Sequence, residues 1–188
     1  ILRLFGLTTL IVGLINPKVG TRIETVTRKG VDVVFAIDVS KSMLAEDIAP
    51  SRILKAKQIL SKAIDELVND RIGIIVYAGK AYAQLPLTTD YTAAKMFLRT
   101  INTDMVPTQG TDIGNAVEMA LSYFESGKEQ NRVLFILSDG ESHEEGALEA
   151  SELASENGIL IHAIGLGTLD GGPIPIKRNG VIKGYKKD

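Results

Sequence analysis

From Val31 to Gly165, short runs of branched and aromatic residues alternate with segments in which apolar residues recur every three or four positions. Val31–Ile37 (VDVVFAI), Arg71–Ala78 (RIGIIVYA), Arg132–Leu137 (RVLFIL) and Ile159–Gly165 (ILIHAIG) are the compact apolar runs. They predict strands buried on both faces, the pattern of a parallel sheet. Between them lie helical stripes. Ile53, Leu54, Ala56, Leu60, Ala63, Ile64 and Leu67 make one face of a helix opened by Pro50-Ser51 and running to about Val68. Thr89-Asp90 caps a second helix, Tyr91 to about Thr103, and Ile113, Ala116, Val117, Ala120, Leu121 and Phe124 mark a third. An acidic helix, Glu144–Asn157, is stopped by Gly158. Ala81–Leu87 (AYAQLPL) follows a short Gly79-Lys80 connection and carries Pro86, which predicts an antiparallel edge strand. The alternation predicts an α/β fold: a doubly wound, mostly parallel central sheet with one antiparallel edge strand and helices on both faces.

The flanks read differently. Leu4–Ile15 (LFGLTTLIVGLI) is uncharged and mostly apolar, and Asn16-Pro17 followed by Lys18 and Arg22 resembles an exit from a membrane. A span takes about 20 apolar residues, so residues 1–17 are expected to be the C-terminal part of a transmembrane helix. Residues 18–30 are then a polar linker and residues 31–168 the α/β domain. Residues 169–188, rich in glycine, read as a loop or hairpin outside the core, with the chain continuing at both ends. The alternative is a soluble protein in which the first fifteen residues pack as an ordinary helix.

Composition narrows the chemistry. With 188 residues and 45% hydrophobic content the chain can build a substantial core. A net charge of −2, with both signs mixed along the chain, gives no electrostatic footprint for nucleic acid. The absence of cysteine removes disulfides and thiolate metal sites. No nucleophile elbow, phosphate-binding P-loop or dinucleotide fingerprint is present.

What remains is oxygen chemistry at the carboxyl ends of the predicted strands. Asp38, Ser40 and Ser42 form a D-x-S-x-S run after the first strand, Thr111 stands just ahead of a helix, and Asp139 lies in Ser138-Asp139-Gly140 after another strand. All are hard oxygen donors, which suit Mg²⁺, Mn²⁺ or Ca²⁺. Singly each has a plainer reading: a polar post-strand loop, a helix cap for Thr111, a turn residue for Asp139. On three loops at one sheet edge they predict a divalent-metal site. Glu141 and Glu144 stand close by, as helix-start carboxylates or as contributors to cation affinity. A hydrolase would need Ser40 or Ser42 as nucleophile with His143 as base, or a metal-activated water. His143 reads instead as a solvated residue and His162 as a satisfied, buried histidine of a core strand.

These residues resemble the metal-ion-dependent adhesion site of von Willebrand factor type A domains, which joins D-x-S-x-S to a distant Thr and a distant Asp. Here the matches are Asp38, Ser40, Ser42, Thr111 in QGTDIG and Asp139 in LSDGE, and the resemblance spans roughly residues 31–168. It implies a non-enzymatic binding module whose Mg²⁺ (Mn²⁺ or Ca²⁺ also being possible ions) accepts a Glu or Asp from a protein partner. A narrower resemblance, to the bacterial aerotolerance proteins of the BatA/BatB type, is carried by the hydrophobic segment, the DVSKSMLAEDIAPSR run and GGPIPI. That family implies anchoring in the bacterial inner membrane through the N-terminal helix with the domain facing the periplasm. It also implies related domains and a MoxR-type ATPase as partners. A cytosolic adaptor subunit of such an ATPase is the alternative.

Overall fold

The computed structural model describes residues 30–124, 131–140, 146–178 and 181–187. Its central sheet contains β1 (Asp32–Asp38), β2 (Arg71–Tyr77), β3 (Ala81–Thr88), β4 (Arg132–Ser138) and β5 (Ile159–Gly165), in the order β3-β2-β1-β4-β5. All pairs are parallel except β2–β3, which is antiparallel and sits at one edge, as the short connection predicts. Among the described residues four α-helices surround it: α1 (Arg52–Glu66), α2 (Tyr91–Thr100), α3 (Ile113–Tyr123) and α4 (Ala147–Glu156).

Every residue of β1 is buried, and its side chains alternate between two cores. Val33, Phe35 and Ile37 pack with Ile53, Ala56, Leu60 and Ile64 of α1 and with Leu98 of α2. Val34 and Ala36 pack with Ala116, Val117 and Ala120 of α3 and with Ala150 and Ala154 of α4. Small residues on α3 and α4 let those helices approach the sheet and each other closely. The period of two along a strand thus divides one apolar run between helices on opposite faces.

Two helices end earlier than their stripes suggest. After Glu66 the chain becomes extended at Leu67 and then turns through Asn69, whose φ of 65° is left-handed. After Thr100 the backbone likewise leaves helical geometry at Ile101, which is fully buried. Asp90 caps α2, its carboxylate accepting the Ala93 N–H at 2.9 Å.

The expectation for His162 is overturned. The residue is exposed, on a face of β5 where Leu160 is also 57% exposed. Its ring stacks on Phe135, with centroids 5.1 Å apart. β5 is the outermost strand among the described residues, and α4 covers only the face bearing Ile159 and Ile161. An apolar run marks a strand; it does not say how many of its faces are covered.

Beyond β5 the chain forms an antiparallel hairpin, β6 (Pro173–Arg178) with β7 (Val181–Lys187), as a separate two-stranded sheet. Leu4–Ile15 lies outside the described residues, as do His143, Glu141 and Glu144. Among the described residues no helix is long and apolar enough to cross a membrane.

Candidate metal centre

Strand order reverses at β1: β2 lies on one side and β4 on the other. The carboxyl ends of β1 and β4 therefore border the crevice in which open α/β sheets bind ligands. Asp38, the last residue of β1, is fully buried. Its Oδ1 accepts the Ser40 backbone N–H at 2.8 Å, and its Oδ2 accepts the Ser138 hydroxyl at 3.1 Å. The chain then makes a single 3-10 turn, Lys41–Leu44, anchored by the buried Met43. That turn sets the Ser40 and Ser42 Oγ atoms 2.8 Å apart.

Thr111 reaches the same edge by backbone stitching. Gly79 N–H donates to the Thr108 carbonyl at 3.1 Å, and Asp112 N–H donates to the Ala78 carbonyl at 2.8 Å. The loop ahead of α3 is thereby held to the end of β2, where Tyr77 stands opposite Asp38 in register. The approach depends on glycine: a Cβ on Gly79 would lie 2.5 Å from the Gln109 carbonyl oxygen, and the facing Gly110 adopts φ 127°. Capping of α3 falls to Asp112, whose carboxylate accepts the Asn115 N–H at 2.8 Å. Thr111, buried beside it, does not cap the helix.

Asp139 follows β4, and its side chain is 1% exposed. Its Oδ2 accepts from Arg52 Nη1 at 3.2 Å. The same guanidinium is bidentate to Asp47, with Nε to Oδ1 at 3.0 Å and Nη2 to Oδ2 at 2.9 Å. Asp47 Oδ2 also accepts the Thr168 N–H at 2.8 Å. Sequence reasoning missed Ser138, Asp47 and Arg52 as parts of this edge. The signal for the last two was a charged pair five residues apart at a helix start, within the DVSKSMLAEDIAPSR run.

Burial pushes the Asp38 carboxyl up to about 6; the charge of Asp139 adds to this, while the hydrogen bonds from Ser40 and Ser138 oppose it. Burial and then the Asp38 charge raise the Tyr77 phenol. At Asp47 burial acts upward, but the Arg52 and Thr168 hydrogen bonds and the Arg52 charge prevail and hold the carboxyl at about 2. One carboxylate of the edge is thus satisfied by a cation, and another, Asp38, is faced by hydroxyls, a backbone N–H and a like charge.

This donor set fits a hard divalent ion. Among the described residues no three His, Cys, Asp or Glu side chains converge on one point. The edge offers hydroxyls and two carboxylates, and Mg²⁺, which keeps several waters, is held by few carboxylates. A cation beside Asp38 would also relieve the burial penalty that raises its pKa.

A family model for the von Willebrand factor type A domain matches residues 33–141. The structure of the BatB protein from Bacteroides thetaiotaomicron is 42% identical, with 85% of this chain and 80% of that one covered and a TM-score of 0.80. An aerotolerance-related membrane protein from Bacteroides fragilis NCTC 9343 is 41% identical, with 85% and 81% covered and a TM-score of 0.78. Proximal thread matrix protein 1 of the mussel byssus, solved with a zinc-occupied MIDAS motif, shares the fold at 22% identity and a TM-score of 0.63, over 74% of this chain and 36% of its own. The chain spans about half or less of the length of the first curated relatives it matches, at 47%, 30% and 53%. A sheet whose strand order reverses between β1 and β4, a family match over residues 33–141 and more than 40% identity to two Bacteroides structures, one of them BatB, together show that this chain belongs to the von Willebrand factor type A domain family.

Proposed function

We propose that the chain is the divalent-metal-dependent protein-binding module of a membrane-anchored bacterial envelope protein. In this reading Asp38, Ser40, Ser42, Thr111 and Asp139 hold Mg²⁺, directly or through water. Bound there, the ion supplies an exchangeable coordination position that a Glu or Asp of a protein partner fills. The chain's own residues do the positioning. Asp38 carries the charge, Ser138 and the Ser40 N–H aim its two oxygens, and the 3-10 turn keeps the Ser40 and Ser42 hydroxyls paired. Arg52 fixes Asp139 from behind. The module binds and catalyses nothing.

The observation that carries this reading is Asp38: a carboxylate with 0% exposure whose hydrogen-bond donors are all neutral. Burying such a charge is costly unless a cation joins it. The mussel protein of the same fold holds zinc at its MIDAS motif, which supports a divalent ion in this crevice. Membrane anchoring draws on the Leu4–Ile15 segment and on the similar Bacteroides fragilis protein, described as a membrane protein related to aerotolerance. Partners of the MoxR ATPase type and related A-domain proteins belong to the same proposal.

The test is thermal unfolding in Mg²⁺ against EDTA. A ligand bound only to the folded state stabilises it by about 2.7 kcal/mol at one hundred times its Kd. Wild type should show that shift, and Asp38→Ala and Asp139→Ala should stay folded and lose it. A shift of equal size in both variants overturns the site.

A further inference from the structure

Beside the metal edge lies a groove of about 530 Å³, bounded by the 3-10 turn, the first turns of α1, the chain after α2 and the hairpin strand β6. Lys41, which lies in sequence between the two candidate serine ligands, is among the residues that line it. Its walls are mostly apolar, with Leu44, Ile101 and Ile174 inside and Leu54 and Ile176 left 44% and 51% exposed. The hairpin wall is held in place, since Glu46 N–H donates to the Pro173 carbonyl at 3.3 Å.

The charged residues lining it are Lys41, Lys57, Lys186 and Asp104. Among the described residues Asp104 is the only carboxylate of the lining, and it is already ion-paired with Lys41. Lys57 Nζ donates to the Arg99 carbonyl, a neutral acceptor, at 3.0 Å. The lining therefore carries a net positive charge around an apolar floor. That combination complements a segment in which apolar side chains are flanked by carboxylates.

We infer that this groove receives the partner segment whose acidic residue reaches the metal, so that the partner is recognised as an acidic, amphipathic stretch of polypeptide. The inference rests on the metal-bridging function proposed above and adds a second point of contact to it. One carboxylate of the segment meets the ion. Neighbouring apolar side chains fill the space over Leu54 and Ile176, and a further carboxylate meets Lys57 or Lys186. A protein segment is favoured over a membrane surface because the groove is a concave cleft with an apolar floor and lysines on its walls, bounded on one side by the 3-10 turn that carries Ser42, so that one extended chain can both fill it and pass that turn.

The experiment selects short random displayed peptides against the protein in Mg²⁺ and measures the enriched peptides on three variants. Leu54→Asp and Lys57→Glu place negative charge in the groove near a helix N-terminus that tolerates it; Asp38→Ala removes the metal. The expected result is enrichment of peptides with carboxylates on either side of apolar residues. These should bind about tenfold or more weakly to Leu54→Asp and to Lys57→Glu, while the Mg²⁺-dependent thermal shift of both variants stays intact. Binding that needs Mg²⁺ but is unchanged in the two groove variants overturns the groove and leaves the metal site standing. Binding lost in the groove variants but indifferent to EDTA and to Asp38→Ala supports the groove and overturns the metal reading. No enrichment, or enrichment of basic or carboxylate-free peptides, overturns the proposal. So does self-association in sedimentation that Leu54→Asp abolishes, or binding to phosphatidylglycerol vesicles that Lys57→Glu abolishes.

Discussion

Strand β1 begins at Asp32 and ends at Asp38, and the two carboxylates live in opposite surroundings. Asp32 faces Arg71, its register partner on β2, which donates from Nε to Oδ1 at 2.7 Å and from Nη2 to Oδ2 at 2.6 Å. That pair is closed: a planar fork meets a planar carboxylate, and nothing about it asks for a further ion. Asp38, at the other end of the same strand, meets only neutral donors among the described residues and the repulsion of Asp139. The same residue type on one strand is thus a structural ion pair at the amino edge of the sheet and an uncompensated charge at the carboxyl edge. The difference lies in what the neighbouring loops deliver to each end.

Asp139 stands between these extremes, since it shares the carboxyl edge with Asp38 but has Arg52 at its back. The largest expected effect therefore belongs to Arg52→Ala, which leaves Asp47 and Asp139 buried with their arginine removed. Breaking one partner of a buried pair costs about 3–5 kcal/mol, to be read in urea unfolding with EDTA present. A loss below 1 kcal/mol, an order-of-magnitude boundary for exposed pairs, would place Asp139 with the solvated carboxylates. Asp32→Ala comes next, at about 2–3 kcal/mol, and its cost should be the same with Mg²⁺ or without.

Asp38→Asn should move the other way. The folded-state pKa of about 6 lies above the usual value of 3.8, so in the metal-free protein stability falls as pH rises from 3.8 to 6 and stays reduced above. Asparagine removes the charge and keeps an acceptor for the Ser40 N–H. In EDTA at neutral pH the variant should be more stable than wild type by about 2–3 kcal/mol, and Mg²⁺ should no longer stabilise it. A loss of stability in EDTA, as in Asp32→Ala, would erase the contrast between the two ends of β1. The smallest effect is a pH profile: the Mg²⁺-induced thermal shift of wild type should be full above the Asp38 value of about 6 and shrink below it, as protons compete for the carboxylate. A shift constant from neutral pH down to the usual carboxylate range would remove Asp38 from the ligands.

Most of the fold was readable because buried parallel strands are nearly continuous apolar runs and helices show one stripe. Pro86 and the short connection before it predict an edge position for Ala81–Leu87, and β3 stands there with antiparallel pairing. The expectation of a buried His162 fails because an apolar run records a strand's length and not whether a helix lies on each face. The candidate site was legible where its donors alternate on one loop, as Asp38, Ser40 and Ser42 do, and where a strand ends on an aspartate. The Arg52 bridge to Asp139 was not. The two residues are 87 positions apart, and their meeting depends on the path of the loop carrying Asp47, which no local periodicity encodes. In sequence Ser138 is simply the last polar residue of a strand; its hydroxyl matters only because β4 lies beside β1.

The hydrogen bonds of Asp47 bear on the order in which the molecule assembles. Its Oδ2 takes the amide of Thr168, 121 residues further along the chain. A contact of that span closes a long loop and forms only after the intervening strands have docked. During synthesis the D-x-S-x-S segment emerges early, yet the carboxylate that steadies Arg52, and through it Asp139, must wait for the turn after β5. A nascent chain stalled before Thr168 would hold the serines of the edge without its last fastening. The candidate metal edge is therefore expected to be among the last parts of the domain to mature, and a ribosome-stalled series of lengths around Thr168 should gain its Mg²⁺-dependent protection from protease in one step.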